Sequence, residues 1–168
     1  MATVEEAKSL LAKRDYPAAG RLLDQLLARD KSNDALWYLR ALVFLQLKHY
    51  RPAEEALEHA LAIRPQPAYW RTKGLMHMEA CEFSEAVESF QHVLKANAKD
   101  ADAHVLIALC YMFLNDFRSR GHMQRAHRLD KKKTKRMLMQ FYDTFFKLDP
   151  RLSERRRRLL AKKLESIA

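Results

Sequence analysis

The side chains able to do acid–base, nucleophilic or metal chemistry in this chain include seven histidines and two cysteines, and their spacing does not converge. The closest pair of histidines, His122 and His127, is five apart, which does not put both on one face of a helix. Cys81 and Cys110 form neither a CxxC pair nor a disulfide framework; Cys110 sits in an apolar run and reads as a small buried hydrophobe, Cys81 in a turn. There is no HExxH, no phosphate-cradling glycine loop and no nucleophile motif. The expectation is a non-enzymatic protein with no catalytic residue, no cofactor and no metal.

A different chemistry is written in the charges. Arg118, Arg120, Arg125, Arg128, Lys131, Lys132, Lys133, Lys135 and Arg136 are interrupted by one acid, Asp130, and Arg155, Arg156, Arg157 and Arg158 follow with Lys162 and Lys163. Residues 1–130 hold 18 Lys/Arg against 17 Asp/Glu, whereas residues 131–168 hold 13 against 4, so the formal charge of +10 belongs to the C-terminal end. Such a face suits an anionic partner: nucleic-acid phosphates, an acidic protein surface or anionic lipid. It equally suits a solvated helix face that keeps the chain soluble. Aromatics are not interleaved with these basic runs, so stacking on bases is not indicated.

The elements that must position these residues are helices. With 3 Gly and 5 Pro in 168 residues and 48% apolar content, the composition favours a compact helical chain. The stretch Asp34–Gln66 reads as two antiparallel helices. The first is apolar nearly all round, from Leu36 to Leu47; the second is amphipathic through Ala53, Leu57, Ala60 and Leu61. The turn is Lys48-His49-Tyr50-Arg51, Pro52 sits in a first turn that tolerates it, and Pro65 closes the unit. Small residues recur at Ala7, Ala41, Gly74 and Ala108, and again at Ala19, Ala53, Ala86 and Ser119. Large ones recur at Leu23, Leu57, Phe90 and Met123, every spacing being 33 or 34. A small residue lets two helices approach while large ones fill the gaps, and a pair that cannot bury both faces alone must stack on its neighbours.

On Trp37, Ala41, Phe44, Tyr50, Ala53, Leu57, Ala60 and Pro65, and on Trp70, Gly74, Phe83, Ala86, Phe90 and Val93, the chain resembles the tetratricopeptide repeat family. The fourth unit keeps Ala108, Tyr111, Phe117 and Ala126, and the first keeps Ala7, Tyr16 and Ala19. The resemblance implies an all-α, right-handed superhelical solenoid of about four such pairs, over 1–33, 34–66, 67–100 and 101–130. Beyond residue 130 the period fails, and 131–168 reads as basic C-terminal capping or extension helices. Within that extension Met137, Leu138, Phe141, Tyr142, Phe145 and Leu148 share a face. Asp149-Pro150 breaks the chain, and Ser153 caps a last helix striped by Leu159, Leu160, Leu164 and Ile167.

In the family the first helices line a concave surface. Carried over place by place, this implies a peptide-binding groove of Tyr38, Leu39, Leu42, Leu45, Arg71, Thr72, Leu75, Met78, Val105, Leu106, Leu109 and Met112. Left open, its leucines and methionines would exceed the apolar patch usual for a monomer. The cover is an apolar or amphipathic segment of a protein partner, or the chain's own C-terminal helix folded back, or the superhelix itself if it is tight enough to close. The family's carboxylate clamp is missing: Val4, Lys8, Leu39, Ala68 and Thr72, or Tyr38, Leu42, Thr72, Asp102 and Leu106, cannot fork a carboxylate. The function expected is therefore an adaptor or chaperone-like protein-binding module. A peripheral electrostatic binder acting through the basic end is the alternative. No apolar run is long enough to make a membrane-spanning helix. The opening residues MATVEEAKSLLAKRD lack a signal-peptide core, so a cytoplasmic setting is expected.

If the register is right, Trp37→Ala should lower stability by about 3 to 5 kcal/mol. Gly74→Leu should lower it by about 1 to 3 kcal/mol through overpacking. Thermal melts matching wild type would overturn the register.

Overall fold

The computed structural model describes residues 3–145, 147 and 153–167, excepting the side chains of Phe145, Leu160 and residues 163–167. Leu148, the Asp149-Pro150 break and the side chains of Leu160, Leu164 and Ile167 therefore lie outside the described residues. Among those described, all regular structure is helical: α1 (Val4–Ala12), α2 (Tyr16–Arg29), α3 (Asp34–Gln46), α4 (Tyr50–Ile63), α5 (Pro67–Glu79), α6 (Phe83–Ala96), α7 (Ala101–Phe113), α8 (Arg118–Leu129), α9 (Lys131–Phe145) and α10 (Glu154–Ile167). None is long and apolar enough to cross a membrane. The chain divides into two compact units, Met1–Cys81 and Glu82–Ala168.

Local chemistry sets the ends of the helices. The Thr3, Asn33 and Asp100 side chains each accept a backbone N–H from the first turn of α1, α3 and α7, supplying partners that the helix itself cannot. The four hairpin turns place Arg14, Lys48, Cys81 and Asn115 in the left-handed region, each one repeat period after the last. In three of them the next N–H reaches back to close the helix end: Asp15 donates to the Leu10 carbonyl, His49 to Phe44 and Asp116 to Tyr111. Because that closure uses only Leu47, Lys48 and His49, α4 opens at Tyr50, earlier than the sequence suggests.

The first unit is built on two hairpins and α5. Ala7, Ala19, Leu23 and Leu27 meet Leu36, Leu39 and Val43 in one core, and Ala41, Ala53, Ala56, Leu57 and Met76 form the next. Ala7, Ala19, Ala41 and Ala53 are completely buried, as the repeating small residues require. Trp37 is only half-buried, so its truncation should cost less than the loss of a core tryptophan expected from the repeat register; its indole N–H donates to the Lys31 carbonyl and its ring stacks on His59 at 4.3 Å.

In the second unit α7 packs against α6, α8 and α9, and eight of its thirteen residues are buried. One residue, Asp130, separates α8 from α9, and its carboxylate accepts the Lys133 N–H at 2.9 Å. The first helices α3, α5 and α7 begin a full period apart, at Asp34, Pro67 and Ala101, but α9 begins short of the next period, at Lys131. Thr134, Leu138 and Tyr142 form the buried stripe of α9, and the Tyr142 hydroxyl donates to the Arg157 carbonyl of α10 at 3.1 Å. The last two helices thus pair with one another, and α9 packs on α7 and α8.

A pair of histidines joins α7 to α8. The Nε2 of buried His104 lies 3.2 Å from the Ala98 carbonyl, and its Nδ1 lies 3.0 Å from Nδ1 of His122. A carbonyl only accepts, so His104 carries its hydrogen on Nε2 and its bare Nδ1 accepts from His122. Burial pushes both imidazoles below their ordinary value. For His104 the Ala98 carbonyl and Asp100 oppose that shift while Arg125 adds to it; for His122 its partner ring, Arg125 and Arg118 all add to it. The unfolded chain therefore binds these protons more readily than the folded one. Stability should be full above the ordinary imidazole value of about 6.5 and fall as pH drops through the lower folded values. Melting temperatures between pH 7 and 5 should fall in the wild type and less steeply in His122→Gln.

Candidate functional site

Numbered from the start of each first helix, the fifth, ninth and twelfth places are Tyr38, Leu42 and Leu45 on α3 and Arg71, Leu75 and Met78 on α5. Five of the six are half-buried, and Leu75 is 43% exposed. These two rows lie in the first unit and present leucine and methionine to the surface. A hydrogen bond of 3.1 Å between the Tyr38 hydroxyl and Thr72 Oγ1 ties the rows together.

Tyr38 is held from behind. Its ring stacks on Tyr69 at 4.5 Å, and the Tyr69 hydroxyl donates to buried Asp34 at 2.7 Å. The Gln66 amide donates to the same carboxylate oxygen at 2.8 Å, and Arg64 stands 3.8 Å away. The Tyr69 hydrogen bond, joined by Gln66 and Arg64, keeps the Asp34 carboxyl below its ordinary range, while burial and then Asp34 itself push the Tyr69 phenol up to about 12. This bracket fixes the start of α5 to the start of α3 and with it the spacing of the two rows.

Three of the residues expected to line a groove are interior. Leu39 continues the stripe Leu36, Leu39 and Val43 that faces α1 and α2, so it belongs to the core between successive hairpins. Val105 and Leu109 are buried as well, because α6, α8 and α9 all pack on α7. On α7 only half-buried Leu106 and exposed Met112 reach the surface from the expected set. The structure also shows a concavity that the sequence did not suggest. It measures about 500 Å³ and lies over Trp37 between α2 and α4, with Asp24, Leu27, Arg40, Phe44 and His59 among its walls. Its signal in the sequence, a tryptophan at a repeat position, reads equally as core.

The basic end is partly neutralised from within. Asp116 grips Arg118 through three contacts of 2.6 to 3.0 Å and sets the guanidinium over the Tyr111 ring. Lys133 bridges Asp102 at 2.8 Å, and Arg158 pairs with Glu154. Arg157 is half-buried against α9. Arg120, Arg125, Arg128, Lys131, Lys132, Lys135 and Arg136 on α8 and α9, with Arg155 and Arg156 on α10, are exposed. Among the described residues no group of three or more His, Cys, Asp or Glu side chains could hold a metal ion. Burial raises the Cys110 thiol to about 12, which keeps it protonated and unreactive.

The Asp34 bracket gives a direct test. Tyr69→Phe removes one of the donors to a buried carboxylate and should cost about 1.5 to 3 kcal/mol at pH 7. The loss should shrink as pH falls below the carboxylate range near 3.9 and Asp34 becomes protonated. Denaturant melts of the two proteins across pH would measure it.

Residues 10–75 match the tetratricopeptide repeat model. No curated protein matches the chain in sequence. Among solved structures, a double mutant of MamA RS-1 is 19% identical with a TM-score of 0.74, over 96% of this chain and 92% of that one. MamA from Desulfovibrio magneticus RS-1, from residue 41 to its end, is also 19% identical, with a TM-score of 0.72 over 97% and 89%. YrrB, a tetratricopeptide protein with an unusual peptide-binding site, is 16% identical with a TM-score of 0.70 over 98% and 84%. The repeating small residues, the match over residues 10–75 and these structures agree on the fold: an all-helical chain built of tetratricopeptide-like helix pairs.

Proposed function

We propose that this protein is a non-catalytic protein-interaction module, an adaptor or chaperone-like holder, that takes an apolar or amphipathic segment of a partner protein. The face is the first unit's pair of rows, Tyr38, Leu42 and Leu45 beside Arg71, Leu75 and Met78. The observation that carries the reading is Leu75, 43% exposed in the middle of α5 among half-buried apolar neighbours of its own unit. Burying such a side chain fully is worth about 1.5 to 3 kcal/mol, so a partner that covers the rows gains from each leucine it meets. Places five, nine and twelve recur at helical spacing, which matches a partner helix with anchors at i, i+3 or i+4, and i+7. The peptide-binding site of YrrB, a protein of the same fold, supports a peptide ligand here.

Because Leu75 packs little, Leu75→Glu should shift stability by less than about 0.5 kcal/mol. Helical peptides selected against the wild-type chain from a random display library should lose at least tenfold in affinity for the variant, or about 1.4 kcal/mol. Selected peptides that bind both proteins equally would place the interaction elsewhere.

A further inference from the structure

Each hairpin turn carries an aromatic residue two positions after its left-handed residue: Tyr16, Tyr50, Phe83 and Phe117. In the first three hairpins this residue opens the second helix and reaches the last residue of the next first helix. The Tyr16 hydroxyl donates to Gln46 at 3.2 Å and the Tyr50 hydroxyl to Glu79 at 3.3 Å, while Phe83 stacks on Phe113 at 4.4 Å with the rings 6° from parallel. The fourth breaks the rule. Since α9 starts short of a full period, its thirteenth residue is Asp143, exposed and paired with Lys147 at 3.1 Å. Phe117 is left 88% exposed just ahead of α8.

The surroundings of Phe117 are specific. Phe117, Gly121, Arg125 and Arg128 follow one another at i, i+4, i+8 and i+11, a single exposed stripe along α8. With Arg118 and His122, the first three of these enclose a cleft of about 360 Å³. A Cβ built on Gly121 meets nothing within 4 Å, so the glycine leaves the floor open. Arg118 is spent on Asp116, and His122 turns its Nδ1 inward to His104, whereas Arg125 and Arg128 have no ion-pair partner among the described residues.

We infer that this stripe is a second docking site, for an acidic segment of a partner protein that seats one large apolar side chain against Phe117 and brings carboxylates to Arg125 and Arg128. Charge complementarity and the single-side-chain cleft favour this occupant. A membrane would need an apolar band, but between Phe117 and Leu129 the exposed face of α8 is Arg118, Arg120, Gly121, Gln124, Arg125 and Arg128. Single-stranded nucleic acid would need successive stacking platforms, and the stripe offers one ring. The site is separate from the rows of α3 and α5 and stands or falls apart from them.

The test is fluorescence anisotropy of the full chain with a labelled peptide of ten glutamates around one central phenylalanine, at low salt. Binding is expected, with a loss of about tenfold or more in Phe117→Ala, in Arg125→Glu and for the peptide with glycine in place of phenylalanine. Leu75→Glu should bind as wild type does. The exposure of Phe117 lets Phe117→Ala keep the wild-type melting temperature, which separates lost docking from lost folding. Equal affinity of Phe117→Ala and wild type would overturn the inference. So would tighter binding of oligothymidylate or phosphatidylserine vesicles than of the peptide at the same salt, which would assign the face to nucleic acid or to membrane.

Discussion

A helical hairpin packed at an alanine buries one side of its first helix and leaves the other uncovered, and the rest of this structure follows from how each uncovered side is met. In the first unit the stripe Leu36, Leu39 and Val43 of α3 closes onto Ala7, Ala19, Leu23 and Leu27. Met76 of α5 does the same for Ala41, Ala53 and Leu57. In the second unit α9 presents Thr134, Leu138 and Tyr142 and packs against α7 and α8. Where a neighbouring helix supplies the cover, as for Leu36 and Leu39, leucine is core, whereas Leu75 of α5 stays 43% exposed.

Polar groups sharpen this stacking rather than drive it. The Asp34 carboxylate, satisfied by Tyr69 and Gln66, binds the start of one first helix to the start of the next and sets Tyr38 in place. The two histidines perform a comparable task between α7 and α8. A buried polar pair of this kind tolerates little displacement, since a lost partner leaves a desolvated group. The same rows that present an apolar surface are thereby held at a defined spacing.

The charge of the C-terminal end is distributed by the same geometry. Acids carried on or beside α7, Asp102 and Asp116, meet Lys133 and Arg118 where the helices come together. The cations further out on α8 and α9 meet no described acid and set the field of that surface. Phe117 sits at the edge of this field, 88% exposed just ahead of α8, where its counterparts in the earlier hairpins meet the last residue of the next first helix.

The helical class, the period of 33 to 34, the alanine and leucine registers of the core and the uneven charge are all legible in the order of the residues. Each of these is a local or periodic property, and Ala41, Leu57 and Phe90 lie where the period puts them. The family resemblance also named the helix rows that could carry a site, and Tyr38, Leu42, Leu45, Leu75 and Met78 do reach the surface. It did not separate them from Leu39, Val105 and Leu109, nor show that Arg118 and Lys133 are neutralised and Phe117 exposed. A repeat pattern specifies which side of a helix faces its neighbour. How far the neighbour slides along that side is set by the connection between them, and the single residue between α8 and α9 changes that offset without changing the pattern within either helix. Which apolar and basic residues stay uncovered therefore depends on how the helices pack.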